Sequence, residues 1–207
     1  MKYLKMAPVK LLGGEFMLEY EKKIMLTANE YHTLAMSNRC KNIPKQLQTN
    51  YYFDDDNFTM NKKGITCRIR HKNGKYTACV KNHNTNHSDC SRELNLSEDV
   101  KFDPQFFKTL GLCCKGELVT ERIIIYKDAM CEVVLDRNIY LGHTDFELEV
   151  EYCQEGEPKA EKLIKSIAEY LSVARHSEAS ESFLKRVGKG KTKSERFFER
   201  LSRCKKL

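Results

Sequence analysis

The sequence contains no tryptophan, only four prolines and ten glycines, and no apolar run near the roughly 20 residues that a membrane-spanning helix needs. So little Pro and Gly excludes collagen and low-complexity linker as global descriptions. With 41% apolar and 31% charged residues the chain is neither globally disordered nor a coiled coil. Met1 to Gly14 lacks the apolar stretch of about 7–15 residues that a secretory leader needs. The nine cysteines are odd in number and lack framework spacing. Without an export signal they read as reduced thiols of a cytoplasmic protein. A length of 207 residues suits one domain with a sizeable core.

Thirty-six Lys and Arg against 29 Asp and Glu give a formal charge of +7, which invites a nucleic-acid reading. The excess is terminal. Residues 185–207 hold ten basic and two acidic side chains, which leaves −1 for everything before them. A basic groove over the whole fold is therefore not expected.

The chain reads as about eight strands, mostly joined by hairpins, with helices between and after them. Phe16–Leu26, Leu47–Phe53, Ile65–His71, Tyr76–Asn82, Ser91–Leu96, Leu118–Tyr126, Met130–Leu135 and Phe146–Tyr152 are the strands. Thr27 to Glu30 is a capping box that opens a helix. Asn73-Gly74 is a hairpin turn, and Asp103-Pro104 opens a short helix that stops at Gly111. Pro158 starts a longer helix with Leu163, Ile164, Ile167, Ala168 and Leu171 on one face, and further helices are expected over 178–187 and 194–204. The fold class is α+β: a mainly antiparallel barrel with helices outside.

Period two sorts each strand into an apolar and a charged face, and the charged faces use both signs. Glu19, Glu21 and Lys23 share a face, as do Thr66, Arg68 and Arg70. Thr77, Cys79 and Lys81 do the same. Glu93, Arg122, Glu132 with Asp136, and Glu147 with Glu149 and Glu151 each oppose aliphatic neighbours. Two architectures satisfy this pattern. In one the apolar faces pack inward and the charges meet water. In the other the sheet closes on a charged lumen and the apolar faces pack outward on the helices. Unpaired charge in such a lumen costs several kcal/mol per ion. Acids and bases together, with metal ions and a polyanion, would offset most of that.

The ordered motifs resemble one family. Glu19-Tyr-Glu21-Lys-Lys23 resembles the opening Glu-x-Glu-x-Lys of the CYTH, or triphosphate tunnel metalloenzyme, family in its bacterial form, which includes class IV adenylate cyclases and thiamine triphosphatases. Gln48–Asp54 resembles its Asn-x-Tyr-Tyr-Asp segment, Arg68-Ile-Arg70 its Arg-x-Arg strand, Thr77–Lys81 its Thr-x-Lys strand, and Arg92-Glu93 its Arg-Glu pair. Arg122 stands where the family has a lone tunnel Arg. Leu135-Asp136 and Glu147–Glu151 resemble its late acidic strands, and Lys191–Arg196 its terminal Lys-Ser-Lys-x-x-Arg. The resemblance runs from about residue 16 to 198 and implies a closed eight-stranded tunnel with a charged lumen. It sets residues 1–15 apart as an extension and 199–207 as a basic tail. Asn95 departs from the pattern where many members carry an acid. Ser182–Arg186 is a poorer copy of the terminal motif, so Lys193 and Arg196 are preferred for it.

The resemblance implies metal-dependent hydrolysis of inorganic triphosphate, thiamine triphosphate or a nucleoside triphosphate. Lys23, Arg68, Arg70, Lys81, Arg122, Lys193 and Arg196 would grip the phosphates. Mg²⁺ or Mn²⁺ would be held by Glu147 and Glu149 and by Glu19 and Glu21, with Glu93, Glu132 and Asp136 near. Glu19, Glu21 and Lys23 are the candidate catalytic residues. The alternatives are adenylate cyclisation, with release of pyrophosphate, and non-catalytic binding of polyphosphate or RNA. The expected partner is a small triphosphate molecule, not a membrane, for a monomer or homodimer. Gly188 to Thr192 mimics the end of a P-loop but lacks its first glycine and its strand. Cys79, His83, His87 and Cys90 do not have standard zinc spacing. Tyr51 and Tyr52 read as packing residues, Tyr51 being the one that could line a lumen.

Overall fold

The computed structural model describes residues 17–84, 89–98, 101–175 and 179–204. The extension over 1–15, Phe16, His87 and residues 205–207 lie outside them. Eight strands, β1 (Met17–Leu26), β2 (Gln46–Asp54), β3 (Ile65–Lys72), β4 (Lys75–Asn82), β5 (Cys90–Glu98), β6 (Cys113–Lys127), β7 (Cys131–Tyr140) and β8 (His143–Tyr152), form a closed barrel. Its circular order is β1-β5-β4-β3-β2-β6-β7-β8, and every neighbouring pair is antiparallel. Four places round that ring set β3 opposite β8, β4 opposite β7 and β2 opposite β1.

Turn chemistry joins the strands. Asn73 and Gly74 both take positive φ, 52° and 75°, the pair of left-handed residues that a two-residue hairpin requires. Leu141 and Gly142 repeat that geometry at 46° and 68°. This second hairpin extends β7 and β8 beyond the expected spans, and Leu141 hides it because leucine carries no turn signal. The expected helix from Asp103 is reduced to a 3₁₀ turn over Lys108–Leu110, while Thr59–Lys62 forms an extra helical turn, α2.

The apolar strand faces point outward. Ile24, Leu135, Leu148 and Val150 pack beneath α1 (Ala28–Ala35), α3 (Glu157–Arg175) and α4 (Ala179–Leu184), through Tyr31, Leu34, Ile164, Ile167, Leu171 and Phe183. Phe53, Cys67, Ile69 and Ala78 pack beneath Phe107 and Leu112 on another sector. The capping box of α1 is present, and Arg186 binds the same Glu30 carboxylate from outside the barrel. Burial would raise the Glu30 carboxyl, but Arg186 and Thr27 hold it below the usual range.

A third cluster closes one end of the barrel. Here the lumen positions Tyr52, Leu118 and Tyr140 are aromatic or aliphatic, and Phe197 and Phe198 of α5 (Lys193–Cys204) pack on them. A side chain at Gly116 would meet the Phe197 ring at 3.0 Å, so glycine admits the helix. α5 continues through residues 199–204, and Leu201 joins the cluster, so the boundary at 198 falls inside a helix. No helix among the described residues is long and apolar enough to cross a membrane.

If the outward faces are the core, truncation on α3 must be costly there. Leu171→Ala, at 0% exposure, should lower unfolding free energy by about 3 kcal/mol in urea titrations. Val173→Ala, at 74% exposure, should stay within about 0.5 kcal/mol.

Candidate active site

Strand alternation that sends aliphatic side chains out sends the charged ones in. They line a cavity of about 320 Å³. Arg68, Arg70 and Lys72 of β3 and Lys81 of β4 form a basic wall. Across the ring, Glu149 and Glu151 of β8 and Glu19 and Glu21 of β1 form an acidic one. Gln46, Gln48, Asn50 and Tyr52 of β2 form a neutral strip beside the basic wall.

Ten sequence-derived candidates reach this cavity: Glu19, Glu21, Lys23, Arg68, Arg70, Lys81, Arg122, Glu132, Glu149 and Lys193. Glu132 sits at the mouth, on Lys127. Glu93 is buried against Arg68 at 2.9 Å. Asp136 and Glu147 are fully buried behind Lys193, and Arg196 turns away from the cavity to Asp145 at 2.8 Å and Glu147 at 3.1 Å. Of the two terminal segments, Lys191–Arg196 brings Lys193 into the lumen, whereas Lys185 is exposed and paired with Glu181. A second capping box sets Lys193 there. Thr192 N–H donates to Glu195, and Glu195 N–H donates to the Thr192 hydroxyl, so α5 starts at the lumen wall.

Five further residues belong to the site. Glu151 and Lys72 extend the period-two runs 147/149 and 68/70, and His83 extends 79/81, so alternation alone could have found them. Thr66 continues the 68/70 run in the other direction, whereas Ser194, bonded to it at 2.7 Å, carries no such signal because it arrives through the tertiary fold. Tyr52, not Tyr51, lines the cavity; Tyr51 packs outside on Phe102.

The two charge sets neutralise each other. The Arg122 guanidinium takes Asp136 through two nitrogens at 2.9 and 2.7 Å and reaches Glu149 at 2.6 Å. The Lys193 ammonium lies on Asp136 at 2.9 Å, Glu149 at 3.0 Å and Glu147. Lys23 binds Glu21 at 2.6 Å, and Lys81 binds Glu19 at 2.7 Å. Burial would raise the carboxyl of Glu21, but Lys23 and Lys81 hold it at about 2. Burial likewise opposes Arg68, Arg70 and Lys81 at Glu93, which they hold at about 2. Burial, then Lys81 and Lys23, drop His83 to about 4, so its ring is neutral at physiological pH.

Neutralisation is incomplete at two places. Burial and the nearby Glu149 raise the Glu151 carboxyl, despite Arg122. On the basic wall, Arg70 and Lys72 have no carboxylate partner among the described residues. Burial and the neighbouring Arg68 and Arg122 lower Arg70, and burial with Arg122 and Arg70 lowers Lys72. The lumen therefore keeps two cations on β3 without carboxylates, opposite a β8 carboxylate, Glu151, that Arg122 reaches only at 3.4 Å.

Two carboxylate trios bring oxygen atoms within 4.8 Å of one another: Glu21, Glu149 and Glu151; and Asp136, Glu147 and Glu149. An all-oxygen donor set suits a hard divalent cation. Both trios already hold an ammonium, Lys193 in the second and Lys23 on Glu21 and Glu149 in the first. All three members of the first line the open cavity, whereas Asp136 and Glu147 of the second are buried behind Lys193, so the first fits a cation better.

A closed antiparallel barrel with opposed ionic walls in its lumen defines a tunnel protein. The CYTH domain profile matches residues 17–182, and the chain belongs to the CYTH domain family. The match ends before Lys193. YjbK of Bacillus subtilis (strain 168), a candidate triphosphatase, is 29% identical over 174 residues, covering 73% of this chain and 87% of that one. A candidate adenylate cyclase from Bacillus halodurans superposes with a TM-score of 0.55 at 21% identity, over 76% of this chain and 92% of that one. A subunit in the Schizosaccharomyces pombe Mediator head module superposes at 0.52 with 11% identity, over 76% and 96%. These two likenesses are of fold.

Because Glu21 and Glu93 titrate near 2 when folded and near 4.5 when unfolded, their contribution is complete above pH 4.5 and is lost as pH falls toward 2. Urea midpoints measured from pH 7 downward should be level above about pH 5 and fall steeply below it. A flat profile to pH 3 would contradict the pairing.

Proposed function

We propose that the protein is a divalent-metal-dependent hydrolase of triphosphate-containing substrates. One observation carries the reading: Arg70 and Lys72, which have no carboxylate partner among the described residues, face the carboxylate trio of Glu21, Glu149 and Glu151 across one cavity. A ligand that is itself a polyanion with a bound divalent cation complements both walls at once.

Arg68 and Arg70, two apart on β3, present forked donors to adjacent phosphates, with Lys72 and Lys81 as point charges beside them. Glu21, Glu149 and Glu151 would hold the metal, which supplies charge neutralisation and a water acidified for attack on phosphorus. When phosphate arrives, Lys23 and Lys81 release part of their hold on Glu19 and Glu21 and turn to the anion, freeing carboxylates for the cation. Charge that develops on the transferred phosphoryl group is met by donors already in place in a buried site. The Glu147–Lys193–Asp136 cluster stays behind this exchange and fixes the position of Glu149. The name of YjbK agrees with this activity.

Incubation with Mg²⁺ or Mn²⁺ and a panel of inorganic, nucleoside and thiamine triphosphates should release orthophosphate, and EDTA should abolish release. Cyclic AMP with pyrophosphate as the products would replace hydrolysis with cyclisation. Glu21→Gln should cut turnover at least about 100-fold in a variant that is still folded at the assay temperature, with a lowered melting temperature because Lys23 and Lys81 lose a partner. Full activity in that variant would contradict the assignment.

A further inference from the structure

Buried polar groups are normally hydrogen-bonded, so those that are not point to what is missing. Five buried side-chain atoms among the described residues have no partner, and three belong to cavity-lining residues of a single strand, β2: Gln46 Oε1, Asn50 Nδ2 and Tyr52 OH. Asn50 is 0% and Tyr52 is 1% exposed. The orientation of the Asn50 amide is fixed by its neighbour. Arg70 Nε donates to Asn50 Oδ1 at 3.2 Å, and since a guanidinium only donates, the amide nitrogen must be the free end. The Tyr52 hydroxyl is in the field of Arg68, Lys193, Arg196 and Arg70, none of which accepts a hydrogen bond. Two donors thus lie unmet among the lumen cations, Asn50 being bonded to Arg70, which lacks a carboxylate.

We infer that Asn50 and Tyr52 are substrate-positioning residues that donate hydrogen bonds to the terminal, unesterified phosphoryl group of the ligand. The inference rests on the triphosphate reading above. The end of the chain follows from the plug: the Tyr52 ring packs on Phe197 and Phe198 at 5.0 and 6.0 Å, so the barrel is closed behind it. With the rings behind Tyr52, the terminal phosphoryl group is the end that fits here, and an organic substituent is directed toward the side lined by Asn73, Lys127 and Glu132. Neutral donors here add direction to the charge of Arg68 and Arg70. A phosphoryl oxygen can take both donors, and any weaker acceptor leaves them costly and unmet.

Calorimetric binding of inorganic triphosphate, with and without Mg²⁺, tests this in the full chain. Tyr52→Phe removes only the hydroxyl. It should weaken binding about tenfold while leaving the ligand-free melting temperature unchanged or higher, because an unmet buried hydroxyl is lost. A purely structural hydroxyl would give the reverse pattern. Adenosine triphosphate should lose the same factor, since its unesterified end is shared. Asn50→Leu should also weaken binding and is the second arm if Tyr52→Phe fails to fold. Wild-type affinity in the variants overturns the inference, and a loss confined to inorganic triphosphate overturns the placement of the terminal group. If the wild-type chain binds no triphosphate, the functional reading falls first, and this inference falls with it.

Discussion

The burial of many charges of both signs inside one closed sheet is the constraint on which the rest depends. Ions taken from water cost several kcal/mol each unless partners meet them. The lumen meets most of this cost with its own pairs: Arg122 with Asp136 and Glu149, Lys193 with Glu147, Lys23 with Glu21, and Arg68 with Glu93. Such pairs add little net stability. What they provide is a set of preoriented groups whose partners a ligand can exchange. Glu21 and Glu93 are held ionised by their lysine and arginine partners before anything binds.

That constraint inverts the usual sheet. With charge inside, the aliphatic faces must be covered from without, which gives α1, α3 and α4 their amphipathic stripes. It also explains α5. One helix supplies Lys193 to the acidic wall from its first turn and seals the barrel with Phe197 and Phe198 one turn later. The segment lies beyond the span that matches the family profile, yet it completes the charge balance of the tunnel. The basic excess of the C-terminus is therefore partly lumen and partly surface: Lys193 is inside, while Lys191 and Lys185 are exposed.

Much of this was legible in the sequence because strand period is two and charge is unambiguous. Alternation located all eight strands, and the capping box read at Thr27 marks a true helix start; the one at Thr192 went unread. The sign of the faces was open until the ordered motifs closed the barrel. What stayed hidden depends on geometry that period does not encode. Nothing in Asp136 or Glu147 says that they stand behind Lys193, and Arg196 shares a helix face with Lys193 yet points to Asp145. Tyr52 reads as packing, and its ring does pack, yet the residue also lines the cavity. The Leu141 turn lacked its usual residue. The likeness to a Mediator subunit shows why the fold alone could not stand for chemistry: the fold recurs at 11% identity in the Mediator head module, so the activity must be argued from the walls.

The central claim is that cation and polyanion take opposite walls. Crystals soaked with Mn²⁺ and inorganic triphosphate, measured at the manganese absorption edge, test it most directly. The account predicts one strong anomalous peak bounded by Glu21, Glu149 and Glu151, with phosphate density along Arg68, Arg70 and Asn50 on the facing wall. Manganese elsewhere, with Glu149 still held by Lys193 and Arg122 and no phosphate on β3, would contradict it.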